Sequence, residues 1–187
     1  MATENALERF VRKTRALFAA EADPEQRWTS LSPVLAELLA DPEVVEASKT
    51  WPECVPADGR AENLLFYEDP DFGFAVNGLT KGPSRDGRRP RIHDHAHIYT
   101  LYGVLDGHER IERYERLDDR SRPDYAEIRQ TADMHVGPGE IDLVKPYEVH
   151  TEVTLPKVLA MPFQQQRESD RLPGDGRPTR PVCWAPA

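Results

Sequence analysis

The sequence predicts a mainly β fold, a closed or sandwich-like barrel of short strands entered through an N-terminal helical segment. Three observations carry this. Helical periodicity is confined to residues 1–58. Beyond residue 60, short apolar runs alternate with turns built from Gly, Pro and Asp. The chain holds 17 prolines against only 39% apolar residues, which suits short strands and many turns. The expected organisation is helices over 1–58 packed on the barrel, the barrel over 59–165 and a polar tail over 166–187, all within 187 residues.

The elements follow in order. Leu7, Phe10, Val11, Thr14, Leu17 and Phe18 recur at helical spacing and predict a helix over 5–21, with Asn5 and Glu8 resembling a capping box. A second helix is expected from Ser32 to Ala40, capped by Ser32 with Pro33 in its first turn; the alternative starts near Pro24 and takes Pro33 as a kink. Asp41-Pro42-Glu43 starts a third, which ends at Trp51-Pro52. Asn63 to Glu68 and Phe72 to Val76 read as a hairpin around Asp69-Pro70-Asp71. Residues 91 to 105 read as a strand, joined by a two-residue Asp106-Gly107 hairpin turn to a strand over His108 to Leu117. Further strands are expected over Tyr125 to Met134, Ile141 to Val144, Val149 to Leu155 and Val158 to Phe163.

Composition excludes some functions. A net charge of −9 argues against a nucleic-acid partner, which needs a basic face. No stretch approaches the roughly 18 apolar residues of a membrane helix. Glu4, Glu8 and Arg9 stand where a signal peptide would be apolar, and Cys54 and Cys183 make no disulfide framework. The reading is a cytoplasmic protein that binds neither membrane nor nucleic acid. Nothing in the sequence sets its oligomeric state.

The chemistry is concentrated in histidines. His93 and His95, two residues apart in an expected strand, would point to the same side. With His150 arriving from a separate strand, the three imidazoles could close on one metal ion. His97 shares their parity, but on a strand His93 and His97 lie ~13 Å apart, so one of the three is spare and His97 could replace His93. Imidazoles suit Fe(II), and equally Zn, Ni or Mn.

Asn-Leu-Leu-Phe-Tyr-Glu-Asp-Pro (63–70), Gly82-Pro83, Ile92-His93-Asp94-His95, Gly103-Val104-Leu105-Asp106-Gly107 and Glu112-Arg113-Tyr114 together resemble the cysteine dioxygenase family of cupins. The likeness covers residues 5 to 163. It implies a cupin double-stranded β-helix barrel. It also implies a mononuclear non-haem iron on His93, His95 and His150, and oxidation of a small thiol by dioxygen. Cupins commonly add a Glu four or five residues after the second His; Tyr99 and Thr100 stand there, so three neutral imidazoles and no acid are expected.

The chain departs from the family at the substrate groups. Asn63 occupies the place of the carboxylate-gripping Arg or Gln. The Ser-x-His-x-Tyr after the third ligand is replaced by Val158, Ala160 and Pro162, and Thr100 stands where some members carry a cross-linked Cys. A substrate other than cysteine is therefore expected. Tyr99 is either an inward proton relay or a core tyrosine. His97 is either a base beside the site or a surface residue, and Tyr147 is placed at the barrel mouth. Arg91 or Arg89 could grip a carboxylate, or belong to a solvated loop over 81–91. His108 and His135 are expected to do no chemistry. The alternative function is a Zn, Ni or Mn cupin acting as lyase, isomerase or small-molecule binder.

Overall fold

The computed structural model describes residues 4–51, 62–80 and 91–155. Among them run three helices, α1 (Ala6–Ala20), α2 (Pro24–Leu39) and α3 (Pro42–Ser48). Seven strands follow: β1 (Glu62–Glu68), β2 (Ala75–Thr80), β3 (Thr100–Gly103), β4 (His108–Arg116), β5 (Ile128–Val136), β6 (Ile141–Val144) and β7 (Val149–Leu155). The fold is mainly β, with three small antiparallel sheets ordered β1-β2, β3-β6 and β5-β4-β7. Cys54, Cys183, Arg89, the strand expected over 158–163 and the tail over 166–187 lie outside the described residues.

The helices form where local signals converge. Asn5 accepts from the Glu8 amide, and the Glu8 carboxylate accepts from the Asn5 amide, so α1 starts on a complete capping box. Its buried stripe is Ala6, Phe10, Thr14 and Phe18, a repeat of four. α2 takes the longer of its two expected starts, capped by Asp23 with Pro24 in its first turn. Pro33 lies inside it, an arrangement that ordinarily costs about 3 kcal/mol. Burial of Leu31 and Leu39 on either side offsets that.

The apolar core sits between helices and sheets rather than inside the sheets. Phe10, Phe18, Leu31 and Phe74 form its centre, with Trp28, Leu35 and Leu101 against it. Phe74 follows the Asp69 turn instead of lying in a strand: the hairpin is wider than expected, and β2 begins only at Ala75. β3 turns Leu101 and Gly103 toward α2. A Cβ on Gly103 would stand 2.5 Å from a Leu39 methyl, so a larger residue there would have to displace the Leu39 side chain between helix and strand.

Two expectations about pairing fail. Asp106-Gly107 is not a two-residue hairpin, because β3 pairs with β6 while β4 pairs with β5 and β7. Gly107, at φ +83°, turns the chain from one sheet to the next. The stretch around His93 is also not a continuous strand. Asp94 accepts a hydrogen bond from the Ala96 amide at 2.9 Å, a local Asx turn that competes with extension, and Ala96 takes φ +52°.

Candidate metal centre

The site lies between two sheets. On β3–β6, Tyr102 pairs with Asp142 and Thr100 with Val144. These side chains share the face opposite Leu101 and Gly103. On β4–β7, Arg113 pairs with His150 and Ile111 with Glu152, again on one face. Arg113 donates to Asp142 and so joins the two sheets across the space between them. This interior mixes polar and apolar groups: His150 and Val144 are 0% exposed, and Asp142 and Ile111 are buried.

His93 reaches the site by cross-strand pairing. Its amide donates to the His150 carbonyl and its carbonyl accepts from the His150 amide, both at 2.9 Å. The two residues form an isolated bridge, which sets their side chains side by side. A second clasp lies at the rim, where the Tyr147 amide donates to the Ala96 carbonyl. His95 stands in the turn between these clasps.

The three imidazoles converge. Ring centroids are 4.6 Å apart for His93 and His150, 5.0 Å for His95 and His150, and 5.2 Å for His93 and His95. One nitrogen from each lies within 4.8 Å of the others, so His93, His95 and His150 are close enough to hold a metal ion. The remaining nitrogens are held from behind. His93 Nδ1 donates to the Arg91 carbonyl at 3.0 Å and His150 Nδ1 to the Glu148 carbonyl at 3.1 Å. A carbonyl only accepts, so the neutral tautomer that fits these two rings carries its proton on Nδ1 and presents a bare Nε2. His95 Nδ1 lies 2.6 Å from the Thr100 hydroxyl, which can serve either tautomer.

The donor atoms fit an ion. His93 Nε2 and His95 Nε2 are 3.2 Å apart. Two imidazoles bound at ~2.1 Å place their nitrogens roughly 3 to 3.5 Å apart. His150 Nε2 is buried with no hydrogen-bond partner, a condition a metal bond would remove. Burial first, then the flanking His150 and His93, push the His95 imidazole below its ordinary value and keep it neutral.

The other expected residues fall as follows. His97 is exposed in the turn, outside the trio. Tyr99 does not face the histidines; it stacks on Trp28 of α2 at 6.0 Å, because it shares the parity of Leu101 and Gly103. Asn63 is exposed on β1, opposite Leu79. Arg91 is exposed and contributes its carbonyl to His93. Tyr147 is 54% exposed, at φ +59°.

Three further residues stand at the site. Thr100, which the family resemblance marks only as a substitution, holds His95. Tyr102 lies 6.1 Å from His95, edge to face, and burial together with Glu152, Glu109 and Asp142 pushes its phenol well above the usual value. Glu152 places Oε1 3.6 Å from His150 Nε2. Its signal was present as His-x-Glu on a strand, the parity already read for His93 and His95.

Among described residues no helix is long and apolar enough to cross a membrane. No known family model matches the chain. No curated protein matches it either.

Proposed function

We propose that the protein is a mononuclear non-haem iron dioxygenase of the cysteine dioxygenase-like cupin type, with iron(II) on His93, His95 and His150. Its substrates would be dioxygen and a small molecule, a thiol other than cysteine being the first class to test. The observation behind this reading is the convergence of three imidazoles, at least two of them fixed with Nε2 bare toward a common point. When bound, iron(II) on three histidines supplies open positions at which a small substrate and dioxygen meet.

The chain's own groups do the positioning. The Arg91 and Glu148 carbonyls and the Thr100 hydroxyl fix the ring planes. Arg113 donates to Asp142 and forms an ion pair with Glu148 at 3.1 Å, tying the loop before β7 to β6 and so steadying His150. Tyr102, its phenol kept protonated by burial, lies edge to face against His95 and helps to hold that ring. Asp142, Glu148 and Glu152 around Arg113 and the trio make this a poor place for a substrate carboxylate, which agrees with the absence of the family's clamp.

A second reading is a zinc, nickel or manganese cupin acting as lyase, isomerase or small-molecule binder, because an imidazole donor set does not by itself select iron. Metal analysis and oxygen consumption separate the two. Fe(II)-loaded protein is expected to hold close to one iron per chain and to consume oxygen in step with a thiol or diketone from a panel. Full metal content in His93→Ala would overturn the metal site. Tight zinc with no oxygen uptake across the panel would favour the second reading.

A further inference from the structure

β7 carries another ligand-type side chain on the face that presents His150. Glu152 follows at i+2, so it leaves the strand on the same side. Its side chain is 10% exposed, and Oε1 lies 3.6 Å from His150 Nε2. That is too long for a hydrogen bond, and close to the roughly 3 to 3.5 Å between two donors on neighbouring corners of one ion. The set whose donor atoms all lie within 4.8 Å of one another is the three imidazoles; Glu152 stands outside it, next to His150, and would draw in when the ion binds. His150 Nε2 itself is fully buried without a hydrogen-bond partner, aimed at that space.

We infer that Glu152 is the fourth protein ligand of the metal, binding through one carboxylate oxygen next to His150. This rests on the three-histidine site proposed above and changes its character. One carboxylate lowers the charge of the loaded centre from +2 to +1. It leaves at most two octahedral positions open instead of three, and shifts the donor set toward harder divalent ions such as Fe(II) and Mn(II). The carboxylate comes from the strand of the third histidine, not from the positions after the second, where Tyr99 and Thr100 stand.

The test uses full-length wild type, Glu152→Gln and His150→Ala, each stripped with chelator and titrated with Co(II) as a spectroscopic probe. Glu152→Gln is expected to bind cobalt about tenfold or more weakly, with altered visible ligand-field bands, and His150→Ala to lose binding. Binding within about twofold of wild type and an unchanged spectrum in Glu152→Gln, while His150→Ala has lost the metal, would overturn Glu152 alone. Undiminished binding by His150→Ala, or none by wild type, would overturn the trihistidine site and this inference with it. If Glu152→Gln does not fold, a crystal structure of cobalt-loaded wild type decides: a Glu152 oxygen within about 2.3 Å of the ion supports the assignment, and one beyond bonding reach ends it.

Discussion

The turn at Asp69 and the turn at His95 are both polar, tightly bonded and partly buried, yet they are finished in opposite ways. Asp69 is closed on itself. Its side chain is 0% exposed, and its oxygens accept from the Asp71 and Phe72 amides, the Tyr67 hydroxyl and Arg15. Its left-handed position is Gly73, the residue that takes φ +68° without strain. The histidine turn is open. Its rings are anchored from behind, the buried His150 Nε2 has no hydrogen-bond partner, and its left-handed positions are Ala96 and Tyr147. Strained backbone beside an incompletely bonded buried group is the combination expected where a ligand is to bind, as proposed for the histidine turn. A turn that satisfies itself marks architecture.

His150→Ala should separate the two most sharply. We expect metal affinity to fall more than about a hundredfold, since losses behind the ligands alone cost roughly 10- to 100-fold. Titration of the folded variant, checked by circular dichroism, reads this directly, and retained affinity would erase the contrast. Asp69→Ala should do the reverse: Tm drops by several degrees while the affinity of the folded protein for metal is unchanged. Burial pushes the Asp69 carboxyl up, but the Phe72 amide, Tyr67, Arg15 and the Asp71 amide outweigh it and hold it at about 2, below the ordinary 3.8. A depressed carboxyl stabilises the fold above its ordinary value. That contribution should be lost as pH falls from 3.8 toward about 2, and acid unfolding of Asp69→Asn should lack this component.

Smaller effects refine the picture. Thr100→Val removes the partner of His95 Nδ1 while keeping the shape of the side chain. It should weaken metal binding by about tenfold, with the metal-free Tm little altered. Ala96→Gly tests the strain itself: metal-free stability should rise by about 0.5 to 1 kcal/mol in denaturant titration. A loss instead would mean that the turn is relaxed and that this half of the contrast is unfounded.

What the sequence revealed depended on the range of the interaction. The α1 cap, the Asp41 and Pro42 start and the strands around Ile111 and Val149 were legible because caps and alternation are local. Asp106-Gly107 misled because its hairpin preference lost to the pairing of β3 with β6, a partner that only the whole chain supplies. The identity of the three histidines was legible, but their arrangement was not. His93 meets His150 across an isolated bridge, and the Asx turn at Asp94 breaks the strand on which i, i+2 parity depended. Of the two readings of Tyr99, the inward relay depends on carrying that parity through the turn, and the core tyrosine is the one that agrees with its stacking on Trp28.

The bridge between His93 and His150 also bears on how the protein ages and resists damage. It closes a loop of chain that holds all of β3, β4, β5 and β6. An ion shared by residues at its two ends would act as a removable cross-link, restricting the unfolded ensemble as other long loop closures do. Lifetime against proteases should then follow metal supply, and starvation for the ion would shorten it even where no substrate is present.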